Sequence, residues 1–185
     1  MLEALFGIWH RIAGKVGGFT KPARRAWARA YWTSLVRLRA AEAGPGLRVN
    51  GRTQMPGRTV RIGANCHFNG MTVHGDGGVT FGDNFHSGRG CKIITVNHRW
   101  EGATALPYDS EVVRKPVTIG ENVWFGDDVL VLPGASIGEG AIIAAGAVVA
   151  GRIEPLTVAG GNPARPIKQR DPKHYERLKL EGRYH

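Results

Sequence analysis

Residues 117–153 read VTIGENVWFGDDVLVLPGASIGEGAIIAAGAVVAGRI, and the spacing within them decides the fold. An aliphatic or aromatic residue recurs every six positions, at Ile119, Phe125, Val131, Ile137, Ile143 and Val149. Four places after each stands a second small or apolar residue: Val123, Val129, Ala135, Ala141, Ala147 and Ile153. Glycine follows the leading residue directly at Gly120, Gly126 and Gly138, and comes three places after it at Gly134, Gly140 and Gly146. Neither the 3.6-residue period of a helix nor the two-residue period of a half-buried strand produces this spacing. Short strand-plus-turn units do. Three of them close a coil of roughly 18 residues, and stacked coils share one apolar axis.

The pattern spreads outward from this stretch. Val113 to Thr118 reads as one more unit, with Val113 and Val117 in the two apolar places. Phe81 to His98 reads as three more, in which Phe81, Ser87 and Ile93 lead and Phe85, Cys91 and Asn97 follow. Residues 47–80 keep the glycine and valine texture in looser register. An antiparallel sandwich would show alternation with irregular turns instead. The expected organisation is a basic helical arm over residues 1–46, a coiled β domain over 47–164 and a helical tail over 165–185.

Composition agrees with a single folded body. The 185 residues are 42% hydrophobic and 22% charged, which excludes a disordered chain. The net charge of +10 would suggest nucleic acid were it evenly spread. Instead residues 1–45 hold eight Lys and Arg against two Asp and Glu, residues 165–185 hold seven against three, and the body between holds ten of each. Basic appendages on a balanced body argue against a nucleic-acid groove. Two cysteines, Cys66 and Cys91, outside any Cys-x-x-Cys pair, point to a reducing compartment and away from cysteine-held zinc. Arg11 and Lys15 interrupt the first apolar stretch too early for a secretory signal, and no apolar run approaches a membrane span of roughly 18 residues. The expectation is a cytoplasmic protein.

Three segments carry a family resemblance: Val117-Thr118-Ile119-Gly120-Glu121-Asn122-Val123-Trp124-Phe125-Gly126, then Leu132-Pro133-Gly134-Ala135-Ser136-Ile137-Gly138, then Gly160-Gly161-Asn162-Pro163-Ala164. In order and spacing, over about residues 47–170, the chain resembles the left-handed parallel β-helix, or hexapeptide-repeat, acyltransferases, and among them the sugar O-acetyltransferases. The resemblance implies a mostly-β prism of stacked coils that assembles as a homotrimer, with active sites in clefts between neighbouring prisms. It also implies acetyl-coenzyme A as donor, a saccharide hydroxyl as acceptor and no metal, with a role in polysaccharide or glycan biosynthesis.

Chemistry is expected where the repeat breaks. Residues 99–112 carry no six-residue pattern, and long insertions of this kind gather on one face of a solenoid and commonly serve binding. His98 stands immediately before the insertion. Imidazole titrates near neutrality and can take a proton from a sugar hydroxyl, as transfer from a thioester to an alcohol requires. The family's catalytic histidine occupies this location, although it is often followed by proline where Arg99 stands here. Trp100, Tyr108 and Asp109 in the insertion, with Asp76 and Asn84 before it, are the candidate acceptor residues. Glu101 and Asp109 are candidates to orient His98 through its second nitrogen, and Asn84 is equally suited to closing a turn of the repeat.

The donor residues follow from the resemblance alone. They are Trp124, Gly126 and the backbone amide of Asp127 as oxyanion donor, with Ala145 and Gly160, Gly161, Asn162 and Pro163 along the pantetheine arm. The family's phosphate-binding lysine is replaced by Gly151, which leaves Arg152, Arg165 and Lys168 to meet the nucleotide phosphates. Two other readings compete. A zinc hydratase resembling the γ-class carbonic anhydrases needs two histidines close together on one strand, whereas His67, His74, His86 and His98 stand 7, 12 and 12 apart. A catalytically silent β-helix scaffold would not need a histidine poised at a loop.

Both ends read as helices. Asp171 and Pro172 provide an N-cap and a first-turn proline, Tyr175 and Leu178 share a face, and Gly182 ends the helix. From Pro22 to Ala43 neither Pro nor Gly intervenes, and Trp27, Tyr31, Leu35 and Leu38 form a stripe among Arg24, Arg25, Arg29, Arg37 and Arg39. That stripe either caps the first coil or, through residues 1–45, docks peripherally on an anionic membrane surface.

Overall fold

The structure is a computed structural model and describes residues 21–185. The amino-terminal portion of the basic arm, including His10, Arg11 and Lys15, lies outside the described residues. Helix α1 (Lys21–Arg39) precedes a parallel β-helix of three sheets, and helix α2 (Pro172–Leu180) follows it. Sheet one stacks Glu42–Ala43, Val60–Ile62, Val79–Phe81, Val117–Ile119, Ser136–Ile137 and Arg152–Ile153. Sheet two stacks Arg48–Val49, His67–Phe68, His86–Ser87, Trp124–Phe125, Ile142–Ile143 and Thr157–Gly160, and Arg165–Gln169 closes it in antiparallel sense. Sheet three stacks Met71–His74, Cys91–Ile94, Leu130–Val131 and Val148–Val149.

The six-residue repeat sets the register directly. Ile119 pairs with Ile137, Phe125 with Ile143 and Val131 with Val149, each one coil below its partner. All six leading side chains are buried, as are Val123, Val129, Ala135, Ala141 and Ala147 at the corners. One leading and one following residue per edge fill the interior, and the intervening side chains face out. Lower down, Phe68, Phe81, Phe85 and Phe125 pack as a continuous aromatic column with centroids 4.8–5.4 Å apart.

The structure departs from expectation at several places: the coils begin at Glu42–Ala43, inside the expected arm, and Arg165–Gln169, in the expected helical tail, is a strand. Asn97 and Val113 do not occupy coil positions: they face each other in an antiparallel hairpin stem, Val96–His98 against Val112–Arg114, and both are exposed. The chain leaves the coil at Thr95, whose hydroxyl donates to the His74 carbonyl at 3.1 Å and accepts from the Gly77 amide at 3.0 Å. It re-enters at Val117, after Lys115 N–H has closed the neck on the Thr95 carbonyl at 2.9 Å. At the top, Ile153 pairs with Ile137 as a leading residue rather than a following one, because the chain from residue 137 to 153 is two residues shorter than a full coil.

A further departure is in α1. Its buried side chains are Trp32, Leu35 and Val36, which join Leu47, Val49 and Val60 in the core and plug the open end of the first coil. Thr33 Oγ1 accepts from the Val49 amide at 3.0 Å and fixes the helix on the first strand of sheet two. Of the expected stripe, Leu35 is buried and Tyr31 half-buried, while Trp27 and Leu38 are exposed. The apolar residues of this helix define two overlapping stripes, and the i, i+3, i+4 set starting at Trp32 is the one that reaches the coil.

Helix α2 begins as its sequence requires, with Asp171 Oδ1 accepting from the amides of Lys173 and His174 at 2.9 and 3.3 Å. Tyr175 is its anchor. Its hydroxyl accepts from Asn122 Nδ2 at 2.8 Å and donates to Glu139 at 2.9 Å, and Lys179 joins the same carboxylate.

Candidate active site

The hairpin places His98 at the tip of its outgoing strand, opposite Val112, with the imidazole exposed. It lines a groove of about 430 Å³ with Asn97, Arg99, Trp100 and Glu101 from the hairpin and Leu132, Pro133 and Ala150 from two stacked coils. Val113 and Lys115 complete the wall. Trp100 is 66% exposed, a flat apolar surface beside the imidazole. A basic side chain, an exposed indole and a carboxylate at the mouth of one groove can hold a hydroxylated ring and deprotonate one of its hydroxyls.

The tip of the hairpin is tied internally. Tyr108 lies face to face on His98, ring centroids 3.9 Å apart and planes 11° from parallel. Next to this stack, Asp109 is buried and receives a bidentate guanidinium from Arg99, together with the amides of Thr104 at 3.1 Å and Glu111 at 3.0 Å. The Arg99 guanidinium, helped by the two amides, holds the Asp109 carboxyl down at about 2. A carboxylate occupied by four donors is committed to the loop, which leaves no lone pair for an acceptor or for the His98 ring.

The other acceptor candidates are placed elsewhere. Asp76 pairs with Arg114 at the hairpin base, Oδ1 to Nε at 2.8 Å, and that guanidinium keeps its carboxyl below the usual range. Asn84 has a left-handed backbone, φ +55°, and belongs to a ladder at the corner between sheets one and two. Asn65 donates to it at 2.9 Å and it donates to Asn122 at 3.0 Å.

The donor candidates gather at a different corner from His98. Gly126 and Asp127, and Ala145, lie in turns from sheet two to sheet three, and Gly161 to Pro163 form the turn between the last two strands of sheet two, with Trp124 and Gly160 on strands of sheet two. The coils approach so closely here that a Cβ on Gly126 would lie 2.6 Å from the Ala145 nitrogen. The turn around the cis Asn162–Pro163 bond is fastened to sheet three, the Gly161 carbonyl accepting from Val148 N–H at 2.9 Å. Arg165 and Lys168 are exposed on the closing strand. Arg152 stands apart on sheet one, bidentate to Glu154 at 2.6 and 3.0 Å. None of the donor set lines the His98 groove.

The remaining histidines of the body do not converge on His98. His67 and His86 stack on sheet two at 4.2 Å, with His185 of the tail 5.6 Å from His86, while His74 ends a strand of sheet three. Among the described residues no three His, Cys, Asp or Glu side chains form a group able to hold a metal ion. Burial pushes the Cys66 and Cys91 thiols up to about 11, so neither supplies a thiolate nucleophile at neutral pH. No described helix is long and apolar enough to cross a membrane.

The sequence pattern did not announce Lys115, Leu132, Pro133 and Ala150 as groove residues. A bulky Leu-Pro pair at a corner otherwise built from small residues was the available signal. The pairing of His98 with Tyr108 and of Arg99 with Asp109, both ten residues apart, follows no period and left none.

Residues 116–151 match the family described as bacterial transferase hexapeptide (six repeats). The galactoside O-acetyltransferase of Escherichia coli K12 is 37% identical over 123 residues, covering 64% of this chain and 59% of that protein, so the chain spans little more than half of this curated relative. The structure of a galactoside acetyltransferase in complex with coenzyme A superimposes with a TM-score of 0.66 at 31% identity, over 79% of this chain and 71% of the other. A Vibrio cholerae hexapeptide-repeat acetyltransferase complexed with acetyl coenzyme A superimposes with a TM-score of 0.64 at 27% identity, over 91% and 89% of the two chains. On these matches, which accord with its six-residue repeat, the chain belongs to the hexapeptide-repeat acyltransferase family.

Proposed function

We propose that the protein transfers an acetyl group from acetyl-coenzyme A to a hydroxyl of a saccharide, with His98 as the general base. The observation that carries this reading is the groove in which His98 sits with Trp100 and Glu101 against Leu132, Pro133 and Ala150. The similar galactoside acetyltransferase and the V. cholerae enzyme, bound to coenzyme A and acetyl coenzyme A, supply the donor. In the reaction a neutral imidazole nitrogen takes the hydroxyl proton as the sugar oxygen attacks the thioester carbonyl carbon. The Asp127 amide supports the oxyanion, the C–S bond breaks, and the proton passes from His98 to the departing thiolate. Trp100 stacks on the sugar. Trp124, Ala145 and residues 160–163 flank the pantetheine arm, and Arg165 and Lys168 meet the phosphates, since Arg152 is engaged by Glu154.

The separation of the two residue sets supports a shared site. His98 lies at the corner between sheets three and one, the donor residues at the corner between sheets two and three. A second copy against sheet three would bring its donor corner to the first copy's hairpin. Beside Lys92, the outward residues there include half-buried Ile94, Leu130 and Val148, whereas sheet one presents Arg61, Thr80, Thr118, Ser136 and Arg152. Repetition of one such contact closes a trimer.

The acceptor is a unit of a polysaccharide or glycan under construction, modified on the cytoplasmic side. The basic helix α1, with Trp27 and Leu38 outward, would rest on the anionic inner face of the membrane. A mass-resolved screen of free, nucleotide-linked and lipid-linked sugars with acetyl-coenzyme A tests the reading. Acetylated sugar and stoichiometric free coenzyme A are expected. Turnover of an amine or of no saccharide at all would overturn it.

A further inference from the structure

We infer that Tyr108 is a positioning residue for His98, latched in place by the Arg99–Asp109 pair. The inference rests on the proposed reading of His98 as the base. A base that hands a proton from a hydroxyl to a thiolate must keep its ring in one orientation, and the usual device is a hydrogen bond to the second nitrogen. Here no side chain or carbonyl among the described residues hydrogen-bonds the imidazole: it is the His98 backbone amide that donates to Asn97 Oδ1, at 2.9 Å. Asp109, one of the two carboxylate candidates, is consumed by Arg99, Thr104 and Glu111.

What orients the ring is the phenol face. At 3.9 Å and 11° the two rings are in face-to-face contact, which restricts rotation about the imidazole's side-chain bonds, while His98 stays exposed and lines the groove. The two segments that carry the rings are tied together at the next residue. His98 is followed by Arg99 and Tyr108 by Asp109, and these neighbours are joined by the ion pair and by the Asp109 amide donating to the Arg99 carbonyl at 3.3 Å. The Arg99 amide also donates to Glu111 at 3.0 Å. Two adjacent cross-links ten residues apart thus turn the start and end of the insertion into one rigid clasp around the imidazole.

Tyr108 is 45% exposed, so its replacement leaves the core intact. Steady-state kinetics of Tyr108→Leu and Tyr108→Phe, read beside His98→Ala, test the role. Tyr108→Leu is expected to lower kcat about tenfold to a hundredfold with KM for both substrates near the parent's, and Tyr108→Phe, which keeps the ring face, to restore kcat. Independently of activity, the His98 ring protons should be shifted upfield by the stacked ring in the parent and the Phe variant, and return downfield in the Leu variant. Parental kcat in Tyr108→Leu, or a raised acceptor KM as its sole effect, overturns the inference, the latter making Tyr108 an acceptor contact. If His98→Ala transfers at the parental rate the base assignment fails, whatever Tyr108 does. If His98→Ala is slow and Tyr108→Leu is not, the positioning role alone fails.

Discussion

Phe125 is fully buried in the column formed by Phe85 below and Ile143 above, with ring centroids 5.0 Å apart on the Phe85 side. In a narrow prism whose walls are hydrogen-bonded coils, neighbouring residues have little room to collapse into a gap. Phe125→Ala should therefore cost about 3–5 kcal/mol, measurable by urea unfolding. A change under about 1 kcal/mol would mean that Phe125 is not packed in the core of the coils. The burial of Phe125 was legible in the sequence because the six-residue period names the interior positions outright. The partner of a surface side chain was not. His67 gives no sign in the sequence of its stack on His86 or of its neighbour Arg48 one coil below. Desolvation, then the neighbouring His86, Arg48 and His185, push the His67 imidazole down to about 4, and burial lowers His86 as well. With a folded value below the ordinary 6.5, the unfolded chain binds more protons between the two, so stability rises as pH climbs from about 4 to about 6.5 and is flat outside that window. An NMR titration of His67 should give a midpoint near 4, and His67→Gln should flatten the slope. A midpoint near 6.5 would show that the column is open to water.

The hairpin of residues 95–116 carries the proposed base, and its internal charge pair sets its tolerance to acid. Because Arg99 and two amides depress the Asp109 carboxyl from its ordinary 3.8 to about 2, the stabilisation it gives the loop is complete above about 4 and is lost as pH falls through about 2. The amide resonances of Thr104 and Glu111, both donors to this carboxylate, should titrate with a midpoint near 2. A midpoint near 4 would mean an open, solvated pair. The existence of an insertion was readable, since a run without the period stands out against one that keeps it. Its stem was not, because Val113 satisfies the apolar position of a coil as well as that of a hairpin strand. Only the pairing of Val112 with His98 and Arg114 with Val96 separates the two. For α1 the same ambiguity arises from composition: a helix rich in Trp, Leu and Ala carries more than one apolar stripe, and the coil below it selects Trp32 and Val36.

On the scale of the whole molecule, the prism presents its candidate chemistry at two corners flanking sheet three, and one chain leaves them apart. Sedimentation of the full chain in dilute buffer should report three copies, and disrupting the face by Leu130→Arg should yield monomers that no longer transfer. A stable monomer of undiminished activity would refute a site built from two chains. The claim on which all of this depends is that His98 removes the acceptor's proton. It is tested most directly by comparing acetyl transfer from acetyl-coenzyme A by the parent and by His98→Ala, both with the same far-ultraviolet circular dichroism and melting temperature. Because the imidazole is exposed at the hairpin tip, the fold should be unchanged. The expected result is a loss of about 10² to 10⁴-fold in turnover; a folded variant that transfers acetyl groups at the parent's rate would contradict the assignment of His98 as the base.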